Sequence, residues 1–262
     1  MQEIGHLALA VVQVGGYIFR SGCGIDVYLQ LYQTRRGDFL EECRDYKYNM
    51  DNDYEWMIYT TWQLSFEWLR TRAPLAATFL RHCVFLHHAE ISQAIFQNAT
   101  ANIELPFADQ EPNSLSTAKD LLGLFLTSGA WDTRKFLKIL SEIRSYSLID
   151  FDDHANTFSI HPLVHDWIHA TMTHGEATRA STQCILGMSV SWKFGSEDYS
   201  FRRTLLPHID VVLQGGPTTG PDLTAGLALV YPKGEDGRRL RGCRCLLWRQ
   251  GSGCLARSIL TR

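Results

Sequence analysis

Charge of one sign is the first thing the chain lacks. Its 262 residues set 25 Lys and Arg against 28 Asp and Glu, a net charge of −3 with a pI near 6.4. Without an overall basic field there is little long-range pull toward nucleic acid or an anionic membrane, so a protein or small-molecule partner is expected. A disulfide framework is missing too. Seven cysteines, odd in number and irregular in spacing, do not staple a chain of this length and imply a reducing, cytoplasmic setting. Long apolar runs are also absent. The longest, Leu7–Phe19, includes Gln13, Gly15 and Gly16, follows Glu3 without a positive n-region and is short for a membrane span. Catalytic signatures are missing as well: no G-x-x-x-x-G-K-[ST] loop cradles phosphates, and neither G-x-S-x-G nor H-E-x-x-H occurs. No catalytic residue, metal site or cofactor is therefore expected.

What the chain has is hydrophobic periodicity. With 45% hydrophobic residues it can bury one substantial core or two small ones. Leu7, Ala10, Val11, Val14 and Ile18 recur at helical spacing and predict a helix buried over most of its circumference, one that expects a packing partner upstream. Residues 21–50 carry a second helical pattern through Tyr28, Leu31, Tyr32, Phe39 and Leu40, and the polar stretch Tyr46–Tyr54 reads as a connection. Trp56–Leu69 repeats at helical spacing. Pro74 opens a helix with Leu75, Phe79, Leu80, Cys83 and Leu86 on one face. A shorter helix is predicted around Ile91, Ile95 and Phe96, then a loop over Asn98–Ser116, then a helix over Thr133–Tyr146 aligning Phe136, Leu137, Leu140 and Ile143.

At Ser147 the period changes. Ser147–Phe151 and Thr157–Ile160 are β-compatible runs separated by the turn formers Asp152, Asp153, His154, Ala155 and Asn156, which predicts a hairpin. His161–Pro162 then starts a helix whose apolar side holds Leu163, Val164, Trp167, Ile168 and Met172. Helices followed by a two-stranded wing read as a winged helix. Two more helical patterns lie near Ala177–Val190 and Phe201–Gln214. From Gly215 periodicity fades, Gly and Arg accumulate, and three cysteines appear, among them the C-x-C of Cys243 and Cys245. That composition reads as disorder or as a shifted reading frame near Tyr231.

Three stretches together resemble the C-terminal half of the nucleotide-binding block of NB-ARC proteins, the STAND class of signalling NTPases, above all the fungal-type ones that continue into tetratricopeptide repeats. Ile4–Ala10 with Gln13 and Gly15–Ile18 looks like the family's helix-opening motif, Thr60–Phe66 like its entry into the winged helix, and Ser147–Ile149 with Phe158–Trp167 like its exit. The resemblance implies a switch in which ADP holds a closed state and ATP permits oligomerisation. It makes His161 the residue that senses the ADP phosphate, followed by Pro162 as in fungal-type relatives. Ala8 stands where the family usually has a base-contacting proline, and Asp222–Tyr231 resembles the start of one repeat. Without a P-loop the chain is not expected to hydrolyse ATP; ADP or ATP would bind only where a P-loop domain, from a partner or an NLR-like relative, is supplied.

Other readings of the same residues compete. His161, His165 and His169 recur every four residues, a spacing zinc sites use, but no C-x-x-C lies nearby and Pro162 makes His161 a helix-entry residue. Arg134, Lys135, Lys138 and Arg144 offer charge for DNA, yet Asp152 and Asp153 on the wing tip would repel phosphates. Trp56, Trp62, Phe66, Trp68 and Trp167 fit packing better than a stacking platform.

The expected architecture is mainly α. It comprises a helical subdomain over 1–50, a winged-helix module with one short hairpin over 51–175, a helical linker to a vestigial repeat over 176–214, and a disordered or frame-shifted tail over 215–262. The expected function is a non-catalytic regulatory or interaction fragment of an NB-ARC switch, with a winged-helix DNA-binding protein or a non-functional gene fragment as alternatives.

Overall fold

The computed structural model describes residues 2–42, 53–103, 113–172, 175–190 and 196–214. The polar connection over 46–52, the middle of the predicted loop, the side chains of Ala8 and Trp56, and the tail from 215 lie outside the described residues. The chain is mainly helical, with a few short antiparallel strands. In order the elements are α1 (Gln2–Ser21), α2 (Ile25–Glu42), α3 (Asp53–Arg72), α4 (Pro74–Cys83), β1 (Ile91–Ser92), α5 (Gln93–Ala101), α6 (Asn113–Gly123), β2 (Leu126–Thr127), β3 (Ala130–Trp131), α7 (Thr133–Arg144), β4 (Ile149–Asp152), β5 (Thr157–Ile160), α8 (Pro162–Ala170), α9 (Gly175–Ser189) and α10 (Ser196–Leu213). No helix among the described residues is long and apolar enough to cross a membrane.

Two compact units interleave along the chain. The first draws on Met1–Val84, His88–Glu90 and Thr133–Met172, the second on Phe85–His87, Ile91–Asp132 and Thr173–Arg262.

In the first unit α3 packs on α1, α2 and α4, and α4 packs on α7. Pro74 at the first position of α4, where a missing N–H costs nothing, lets α3 turn into α4 through the single residue Ala73. The core is an aromatic triad from three elements. The ring centroids of Phe79 on α4, Phe136 on α7 and Phe158 on β5 lie 5.7 to 6.5 Å apart, and all three side chains are buried. The β4–β5 hairpin pairs Ile149 with Ile160 and Asp152 with Thr157. At its tip Asp152 Oδ1 accepts from the backbone N–H groups of His154 and Ala155, and Asn156 takes a left-handed φ of 51°.

A second cluster joins Tyr17 of α1, Tyr28 of α2 and Leu64 of α3, with Val14, Ile18, Tyr32 and Trp68 packed around it. The Tyr28 hydroxyl lies 2.6 Å from Thr61 Oγ1. Here α1 departs from the predicted pattern. Gln13 and Tyr17 are buried, whereas Val11 is 65% and Phe19 88% exposed. Over residues 11–20 the helix therefore buries one stripe, because hydrogen bonding carries Gln13 into the interior. Leu31, Leu75 and Leu137 are likewise exposed rather than buried, each at the margin of its helix's apolar face.

The second unit gathers α5, α6 and α10 around α9. Small side chains such as Ala180, Ser181 and Gly187 let neighbours approach closely, and α9 is buried almost all round. Its charge is matched: Arg179 donates to the Val212 carbonyl at 3.1 Å and to the Glu176 carboxylate at 2.7 Å, which holds Glu176 below the usual carboxylate range. Asn102 Nδ2 donates to the Met188 carbonyl at 2.7 Å. The predicted loop over Asn98–Ser116 is helical at both ends, since α5 runs to Ala101 and α6 begins at Asn113. In α6 Leu115, Ala118, Leu121 and Leu122 form a buried helical stripe. The two-residue hairpin β2–β3 turns on Ser128 (φ 51°) and Gly129 (φ 79°), both left-handed as a type I′ turn requires.

Two measurements follow from the first unit. The buried Gln13 amide donates to the Ser147 carbonyl, so Gln13→Met strands that carbonyl and should cost about 1–3 kcal/mol in urea unfolding with an unchanged m-value. His82 is buried on α4 with Nδ1 2.9 Å from the Thr78 carbonyl, and burial holds its pKa below the ordinary 6.5. As pH falls through 6.5 the unfolded chain binds a proton that the folded chain excludes. Stability is therefore fullest above 6.5 and declines below it, and His82→Gln should flatten that decline in pH-dependent unfolding.

Candidate functional site

His161 stands where β5 ends and α8 begins. Its backbone is extended (φ −57°, ψ 133°), its carbonyl accepts the first helical bond from His165 N at 2.9 Å, and Pro162 occupies the first helical position. The His161 ring caps its own helix, because Nδ1 accepts from Leu163 N at 3.3 Å. With Nδ1 an acceptor, the neutral ring carries its proton on Nε2. The side chain is exposed at the N-terminal end of α8.

Around this corner the backbone is pinned to a neighbouring segment. Ile160 N donates to the His88 carbonyl at 2.7 Å, and Glu90 N donates to Ser159 Oγ at 3.1 Å. Glu90 takes a left-handed φ of 57°. One turn along α8, the His165 ring meets the His88 ring at 6.1 Å, and its Nδ1 lies 3.3 Å from Asp166 Oδ1. His169, a further turn on, is exposed. Among the described residues no three His, Cys, Asp or Glu side chains gather into a group that could hold a metal ion.

Three stretches singled out in the sequence meet in this unit. From the first, Gln13 reaches Ser147 of the third through its amide, and Gly16 one turn on lets the two segments close: a β-carbon there would sit 3.0 Å from Ser147 Oγ. From the second, Trp62 and Phe66 pack against Trp167 of the third at 6.0 and 6.1 Å. First and second meet where Tyr17 packs with Leu64. Trp62 and Trp167 are buried, so these rings are packing and not a stacking platform. An ion pair between Arg20 and Glu142 ties α1 to α7 a second time. Neither that pair nor the Gln13 bond was apparent from spacing, since both are long-range and polar.

The basic residues of α7 lie on its solvent side: Arg134, Lys135, Lys138 and Arg144 are exposed, while Phe136, Leu140 and Ile143 are buried. The hairpin is acidic by contrast. Asp150, Asp152 and Asp153 line a depression of about 420 Å³ with Phe151, His154, Thr157 and Ser159. Cys23, Cys83 and Cys184 are free thiols, and burial raises the Cys83 and Cys184 pKa values, the latter to about 11, which keeps both protonated and unreactive.

The chain matches no protein-family model, no curated protein and no solved structure.

The cap at His161 is testable on its own. His161→Ala should cost about 0.5–1 kcal/mol of stability in thermal or urea unfolding, and His161→Ser, which restores a good cap, should recover it. Equal losses in both variants would show that the ring contributes something other than capping.

Proposed function

We propose that the chain is a non-catalytic regulatory or interaction module of the NB-ARC type, acting in the cytoplasm on a partner that carries the P-loop. The observation that carries this reading is the convergence of the three motif-like stretches in one unit, through Gln13 with Ser147 and through Trp62 and Phe66 with Trp167. In this reading α4, α7, the β4–β5 hairpin and α8 form the winged helix, and His161 Nε2–H is the donor offered to the phosphate of ADP held by the partner. Its Nδ1 cap fixes the tautomer that such a donor needs.

The test mixes the chain with the P-loop domain of an NB-ARC protein lacking its own winged helix and measures ADP affinity. The chain should tighten ADP binding roughly tenfold, within the usual range of coupling between sites. His161→Ser, which keeps the cap but removes the imidazole, should abolish the gain without unfolding the chain. No gain with the natural chain would sink the proposal. A second reading, DNA binding, draws on the four exposed cations of α7 and is opposed by the acidic hairpin. Saturable duplex binding that weakens steeply with salt would favour it instead.

A further inference from the structure

The outer side of α1 is apolar where a helix facing water would be polar. Val11, Gly15 and Phe19 follow one another at i, i+4 and i+8, and Val12 stands beside them, one turn before Gly15. At about 100° per residue this row lies opposite the buried Gln13 and Tyr17. Val11 is 65% exposed, Val12 55% and Phe19 88%. Ile25 and Leu29, one turn apart on α2, are exposed as well. A lone exposed apolar side chain is ordinary, but an aligned row on one helix face marks a contact surface.

Gly15 gives the row its character. Its neighbour Gly16 faces inward, where a β-carbon would sit 3.0 Å from Ser147 Oγ, whereas a β-carbon at Gly15 would meet no heavy atom of the described residues within 4 Å. A glycine inside a helix weakens it relative to alanine. Packing within the chain does not offset that loss at Gly15; the close approach of a second helix backbone does.

The spacing about Gly15 selects the kind of partner. A two-fold axis through Gly15 sets two α1 helices antiparallel, so that Phe19 of each copy faces Val11 of the other, large against small, with the two glycines at the crossing. Each such pair stands about 6 Å from the crossing along the helix. The row is an i±4 ridge, the kind that interdigitates with its own copy. Charge agrees with this. Between residues 11 and 34 the chain carries only Arg20 and Asp26, and Arg20 is paired with Glu142, so two copies bring no rows of like charge together. The same scarcity of cations gives an anionic membrane surface little to hold. The five exposed side chains present about 400 Å² of apolar surface. That is close to the apolar share of the roughly 800 Å² each partner gives to a standard interface.

We propose that the outer row of α1, centred on Gly15, is the contact surface of an antiparallel homodimer, with a second copy of this chain as its occupant. The surface uses none of the residues assigned to ADP sensing. Its test contains neither nucleotide nor P-loop partner, so its failure is distinguishable from failure of the proposed function.

Sedimentation equilibrium of the full chain over roughly 1–100 μM should show monomer and dimer in exchange, the weak end of the range for an interface of this size. Phe19→Ser should raise the dimer dissociation constant about tenfold or more, while Leu75→Ser, at an exposed position on α4, should leave it unchanged. Gly15→Leu separates a fitted crossing from general stickiness. Its side chain has room in the monomer, so circular dichroism should show an intact fold, yet the dimer should weaken by a similar factor. Val11→Glu and Phe19→Lys check the register: each should be monomeric alone, and the two should associate when mixed, because only antiparallel pairing brings the new carboxylate of one against the new ammonium of the other. A natural chain that stays monomeric throughout the range, a Gly15→Leu variant that associates as tightly as the natural chain, or a mixture that stays dissociated overturns the proposal. So does a monomer that binds vesicles of phosphatidylcholine and phosphatidylserine and loses them on Phe19→Ser, which assigns the row to a lipid surface.

Discussion

The first unit depends on how the end of α7 is held. Ser147 takes a left-handed φ of 55°, a conformation that costs a residue with a β-carbon roughly 1–2 kcal/mol. That turn redirects the chain from α7 into β4 and so sets where the hairpin begins. It exposes the Ser147 carbonyl to the interior, and the Gln13 amide answers it. Gly16 eases the approach, because a β-carbon there would sit 3.0 Å from the Ser147 hydroxyl, which would have to shift slightly. Local strain at one residue is thus held by a polar contact 134 residues away in sequence, and α1 is docked by the same contact.

Docking α1 on this turn has consequences for α2 and α3. Tyr17, one turn beyond Gln13, is carried to Tyr28 and Trp68 at 5.8 and 6.4 Å, and Tyr28 is fixed by its hydroxyl contact with Thr61. α3 is then filled on two sides, by this tyrosine cluster and by the packing of Trp62 and Phe66 on Trp167. A helix buried on two sides has few positions left for charge. Arg70 and Arg72 accordingly fall in its last turn, where the helix end reaches solvent.

How much of this was legible depends on the kind of signal each element carries. Strong apolar stripes, as in α7, and turn chemistry, as in the β4–β5 hairpin and at Pro162, were readable because one residue type at one spacing has one cheap conformation. An apolar count does not foresee a buried glutamine: over residues 11–20 of α1, Gln13 lies inside, where it meets a carbonyl, and Val11 faces outward. α6 carries a stripe of only Leu115, Ala118, Leu121 and Leu122 between polar flanks, a weaker signal than the stripe of α7. The Ser128-Gly129 turn, too, was available as a hairpin signal. For the candidate site, the cap at His161 was legible from Pro162, whereas the Arg81 contact with Phe66 depends on the packing of α3 against α4 and leaves no trace in spacing along either helix.

The tie between cap and ring chemistry bears on the proposed role of His161. An imidazole free to rotate would offer either nitrogen, and a phosphate sensor built on it would respond weakly. By accepting from Leu163 N through Nδ1, the ring gives up one nitrogen and one rotation, so the proton it can donate sits only on Nε2. The same helix start places the positive end of the α8 dipole at this corner, and that end favours an anion. A helix cap that commits one nitrogen and pre-orients the other is a structural device in an isolated chain. Under the proposed function it becomes a sensing device only when a second surface presents the phosphate.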